Sequence, residues 1–179
     1  RVGRLQYLVI ALIISGFAVF GQSFIQLWAG AEYADAYWIA VLTMFPLCIP
    51  LIQNTGLSIV VAQNKHKFRS LTYLVIAIMN VISTYLVVPY LGGIGAALCS
   101  CITYFVGQGV IMNVYYYKVT GIDIPLFWKN IGKLSMIPGL MLVVGIFVNS
   151  KVSLDNWVRF ASAVVIYTVV YCLAMYKFT

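Results

Sequence analysis

The fold class predicted by this 179-residue sequence is all-α, a polytopic membrane protein of about six transmembrane helices. Three observations lead there. Hydrophobic residues make up 63% of the chain and charged residues 8%, and the mean hydropathy of +0.99 lies far outside the balance of a soluble domain, which needs charge to cover its surface. Apolar runs close to the ~20 residues that carry a helix across hydrocarbon recur along the whole length. Basic residues gather in alternate gaps between those runs, as expected when Lys and Arg stay on the cytoplasmic face. The net charge of +7 follows from that habit, and no nucleic-acid partner is expected.

The spans are expected, in order, over 5–27, 37–62, 71–88, 94–117, 134–149 and 157–176. The first closes at Trp28, and Trp38, Trp128 and Trp157 mark other span ends, where an indole anchors at headgroup level. The second contains "PLCIPLIQNTG". Pro46 and Pro50 each remove a backbone hydrogen bond, so a bend or break is predicted there. Pro46, Pro50 and Gln53 follow i, i+4, i+7 spacing and share a face with Asn54, which places the kink and two amides together. An unpaired amide is costly in lipid, so that face is expected to look at protein or a wet cavity.

The third span carries Asn80 near mid-depth, on one face with Tyr73, Ala77 and Thr84. The fourth opens with "GGIGAALCS", where Gly92, Gly93, Gly95, Ala96, Ala97 and Ser100 are candidates for close helix packing. The stripe Gly92, Ala96, Ser100 continues through Tyr104 to Gln108. Gln53, Asn54, Asn80, Tyr104 and Gln108 are thus the candidate cavity-lining residues; the alternative for each amide is an interhelical hydrogen bond. Between the fourth and fifth spans, Asp123 is a candidate N-cap with Pro125 in the first turn, opening a short helix on the inner leaflet or a plain linker.

Arg1, Arg4, Lys65, Lys67, Arg69, Lys118, Lys129, Lys133 and Lys177 fall on one side of the predicted spans, and Lys151 and Arg159 on the other. Both ends of the chain are therefore expected in the cytoplasm. No ionisable side chain is expected near mid-membrane, and no carboxylate relay or cationic site for a buried phosphate is visible. The four cysteines, Cys48, Cys99, Cys101 and Cys172, lie in apolar runs, and His66 lies in a distant loop, so neither a disulfide framework nor a metal site nor any cofactor is expected. Paired carboxylates and an activated nucleophile are likewise lacking, which speaks against a membrane-embedded transferase. The chain begins at Arg1 without a methionine or a signal peptide and reads as part of a longer protein.

"FIQLWAGAEYADAYWIAVL", then "AQNKHKFRS", then "AIMNVISTYLVVPYLGGIGAALCS" together resemble the C-terminal half of the bacterial oligosaccharide flippases, in the superfamily that also holds multidrug and toxic-compound extruders. The resemblance is strongest over residues 24–117. It rests on Leu27, Trp28, Gly30 and Tyr33 closing the first span, Ala62, Asn64 and Lys65 after the second, Asn80 in the third, and Pro89 with residues 92–97 opening the fourth. It implies a transporter of two pseudo-symmetric lobes around a central cavity, of which this chain would be the C-terminal lobe in a bacterial cytoplasmic membrane. The implied cargo is an undecaprenyl-pyrophosphate-linked sugar repeat for O-antigen, capsule, exopolysaccharide or teichoic-acid assembly. The implied partners are that lipid-linked oligosaccharide, membrane lipids, the N-terminal lobe and the polysaccharide polymerase machinery. Basic residues for the pyrophosphate would lie in the other lobe. A multidrug extruder shares the same expectations apart from cargo, and a non-transporting scaffold of polysaccharide synthesis would need no wet cavity.

Overall fold

The computed structural model describes residues 2–53, 66–119, 121, 123–149, 151 and 156–178. Helix accounts for 95% of them, and none is in a strand. Helix α1 runs Val2–Trp28, and a short 3₁₀ turn at Ala31–Tyr33 leads into α2, Asp35–Ile52. Helix α3 runs His66–Tyr104, passes into a π-helical stretch at Phe105–Ile111, and continues as α4, Met112–Val119. Helices α5, Ile124–Asn149, and α6, Trp157–Phe178, complete the described chain. Among the described residues, five helical stretches are long and apolar enough to cross a membrane: Leu5–Trp28, Ala31–Ile52, Lys67–Val119, Ile124–Asn149 and Trp157–Lys177. Asn54, and the rest of the predicted second span beyond Gln53, lie outside the described residues.

The third of those stretches is not one straight rod. Gly92 interrupts it with φ 57° and ψ −142°, a backbone conformation that only glycine adopts without strain. Residues twenty apart in a continuous helix would be separated by about 30 Å, yet the Asn80 side-chain amide donates to Ser100 Oγ at 3.3 Å. Farther along, the rings of Phe68 and Tyr115 stack with centroids 4.3 Å apart. The chain therefore doubles back at Gly92 into a helical hairpin whose two arms pack along their length. Pro89, which cannot donate to the preceding turn, ends the first arm in the sequence just before that reversal.

At the start of α5, the Leu126 N–H donates to the Asp123 carboxylate at 3.1 Å, and the Phe127 N–H to the Asp123 carbonyl at 3.0 Å, which is the N-cap predicted for Asp123. The sequence reading separates a short helix here from a span over 134–149, but the structure joins them into the single α5. Gly132 lowers helix propensity without stopping a helix, and Pro138 costs one backbone bond in a segment otherwise rich in helix formers.

The chain divides into two compact units, Arg1–Gln6 with Leu42–Trp128 and Tyr7–Val41 with Lys129–Thr179. In the second, Val19, Phe20 and Tyr167 form a buried cluster with Met141 and Phe160 packed against it. Polar side chains there bond to backbone carbonyls across helices: Asn149 Nδ2 to Val19 at 2.9 Å, Tyr37 to Ala18 at 2.7 Å and Tyr171 to Leu8 at 2.9 Å. Gly145 lets α1 approach, since a Cβ there would meet Val19 at 2.8 Å. In the first unit, Met112, Tyr116 and Ile124 form the buried cluster, with Tyr115 and Trp128 against it. The polar candidates fall in this first unit.

Candidate functional site

The site begins where α2 ends. Pro50 has no N–H, so the Pro46 carbonyl lacks its usual partner one turn on, and the helix closes with the Gln53 N–H on the Ile49 carbonyl at 3.1 Å. Gln53 follows as a turn residue, 6% exposed, and its Nε2 donates to Asn113 Oδ1. Asn113 is a hub. Its Oδ1 also accepts from the Trp128 indole at 3.4 Å, and its Nδ2 donates to the carbonyls of Gly109 at 2.7 Å and Gln108 at 3.4 Å.

Those two carbonyls belong to the π-helical stretch Phe105–Ile111, where the backbone is wound wider than in an α-helix and the Met112 N–H reaches back to the Gly107 carbonyl. Two glycines make this stretch fit. A Cβ on Gly107 would run into the side chain of Ile76, and one on Gly109 would meet Ile49 at 3.2 Å. The π winding keeps Gln108 buried, 2% exposed, against α2 and α3.

Between these elements lies a cavity of about 340 Å³. Gln53, Gln108, Tyr73, Tyr116 and Arg69 supply its polar lining, and Leu47, Pro50 and Leu51 its apolar wall. Arg69 stands in the first turn of α3, half-buried. Its Nη2 donates to Tyr73 Oη at 3.0 Å and its guanidinium lies 5.0 Å from the centre of the same ring, one helical turn on. Arg69 Nε and Gln108 Nε2 are both buried without a hydrogen-bond partner. Both residues line the cavity, whose described lining contains no acidic side chain.

Of the five residues expected to line a cavity, Gln53 and Gln108 share this one. Asn80 does not: it bonds to Ser100 across the hairpin and accepts from Thr84 at 3.1 Å, which is the interhelical alternative. Tyr104 is not among the lining residues, and Asn54 lies outside the described residues. Pro46 is fully buried, and Pro50 lines the cavity. Of the small residues at the start of the hairpin's second arm, Gly95 and Ala97 are buried, Ala96 and Ser100 half-buried, Gly93 exposed, and Gly92 forms the reversal.

Two residues escape the sequence reading. Arg69, read as a loop cation, is a helical residue facing a cavity; the signal for it is the Arg69 to Tyr73 spacing of four. Asn113, set in a tyrosine-rich run, comes into register with Gln53 through the π stretch, and nothing in an α-helical period points to it.

No family model matches the chain, and neither a curated protein nor a solved structure matches it.

Proposed function

We propose that this chain is the C-terminal half of a membrane transporter of the oligosaccharide-flippase kind, moving a lipid-linked sugar repeat across a bacterial cytoplasmic membrane. The observation that carries the reading is the joining of Gln53, Gln108 and Asn113 at a proline-bearing helix end, beside a cavity, in a chain otherwise built of apolar helices. Neutral amides are suited to sugar hydroxyls, and a helix end that lacks backbone bonds gives a place to flex. The reversal at Gly92 supports six spans, because a hairpin crosses twice where a rod of the same residues crosses once. Six spans with basic flanks support a topology with both ends in the cytoplasm, and the sequence resemblance supports the cargo.

The test is made in the full-length protein. Replacing Gln53 and Gln108 together by Leu, at unchanged membrane level, is expected to reduce polysaccharide export and to leave lipid-linked oligosaccharide trapped in the inner leaflet. Normal export, or normal polysaccharide with raised drug sensitivity, would overturn the flippase reading, the latter in favour of an extruder.

A further inference from the structure

From two unpartnered donors on residues that line the cavity we infer that it is a binding site for a phosphate group, held by Arg69 and Gln108. The argument is one of hydrogen-bond inventory. A guanidinium has donors and no acceptor, and Arg69 spends one of its nitrogens, Nη2, on Tyr73. Its Nε–H is buried and unpartnered, as is the Nε2 of Gln108, itself 2% exposed, and both residues line the same space. Buried donors left unmet cost about 1–3 kcal/mol each, so two of them on residues that line one cavity call for an acceptor there. An anion is the better one, since no carboxylate among the described lining residues neutralises Arg69. Asp123 is the single acidic residue in the sequence of this unit, and its carboxylate caps α5.

Guanidinium geometry favours an oxyanion taken by two parallel N–H groups. Tyr73 holds the fork in place from below through its ring and its hydroxyl. The apolar wall suits a phosphate ester over a free ion: Leu51 is exposed on its outer side, so an acyl-bearing molecule would find hydrocarbon next to the cation. Lys67 and Lys118 stand at the same end of the hairpin, as the stacking of Phe68 on Tyr115 requires, which puts the cavity at the basic, headgroup-level end. A phospholipid headgroup and inorganic phosphate share the chemistry, and the site is independent of whether the protein transports anything.

The experiment uses the purified full-length protein in neutral detergent, titrated separately with short-chain phosphatidylglycerol, short-chain phosphatidylcholine and inorganic phosphate, with bound ligand read by native mass spectrometry and thermal shift. Saturable binding of phosphatidylglycerol or of inorganic phosphate is expected, the better ligand identifying the source. Arg69→Gln is expected to weaken it about ten-fold or more, Arg69→Lys less, and Gln108→Leu by several-fold. Lys67→Gln, an equal change of charge on an exposed neighbour, is expected to leave it unchanged. Equal loss in Lys67→Gln and Arg69→Gln, or saturable binding of neither anion, would overturn the assignment. The ligand-free melting temperature of each variant separates lost binding from lost fold.

Discussion

Asn113 serves four groups at once, accepting from Gln53 and Trp128 and donating to two carbonyls of the π stretch. Removing it strands both donors and bares both carbonyls. Asn113→Leu is therefore expected to cost about 2–3 kcal/mol, against about 0.6 kcal/mol for Asn80→Leu, whose bonds are the ordinary interhelical kind. Thermal unfolding of the two variants in one detergent checks the ordering; a larger loss from Asn80→Leu would show that the hub is energetically idle. Gly107 makes the second prediction at this scale. A side chain there would collide with Ile76, so Gly107→Val is expected to destabilise by about 1–3 kcal/mol, and Ile76→Ala in the same chain to restore part of the loss. No such rescue should follow Ile76→Ala paired with a substitution at Gly93, which is exposed.

Helices were the most legible level, and the reason is physical. A run of apolar residues as long as a bilayer is thick admits few other structures, because every backbone polar group must be satisfied within the segment. The interruption expected between 88 and 94 coincides with Pro89 and the positive φ of Gly92. By contrast, the boundary drawn at 133 inside α5 followed charge, and Lys129 and Lys133 do not break a helix, since their long stems can run along it while the ammonium groups reach water. The π stretch could not be read, because it shifts the face of every later residue while leaving composition unchanged; Gln108 stands on the four-residue stripe that runs from Gly92, whereas no α-helical period points to Asn113. Gly92→Val should cost about 1–3 kcal/mol and loosen the pairing of the hairpin's arms. A disulfide trap between cysteines placed at 80 and 100 reads that pairing directly, forming rapidly in the parent background and more slowly with Gly92→Val. Equal rates would mean the reversal does not need glycine.

The number of membrane crossings depends on how the Lys67–Val119 stretch is threaded. If both arms of the hairpin cross, the described chain has six spans and its two ends share a compartment; an unbroken rod of the same residues would give five and set the ends apart. A reporter active only in the cytoplasm, fused before α1 and, in a separate experiment, after α6, is expected to be active at both places. Activity at one end alone would contradict the hairpin as a double crossing. Solvent labelling adds the cavity: a cysteine at 53 or 108 is expected to react with a small polar reagent, and one at 80 to stay protected.

The hairpin has a bearing on how such a chain is made. Between Arg69 and Lys118 there is no acidic or basic side chain, and the turn at Gly92 is flanked only by Pro89, Tyr90, Leu91 and Gly93. Nothing charged has to be drawn through the bilayer for the two arms to enter together, so during synthesis the segment can partition from the insertion channel as one preformed helical pair. If both arms cross, the direction of the pair is set by the cations on its two flanks, and moving those charges to the turn would be the way to turn it over.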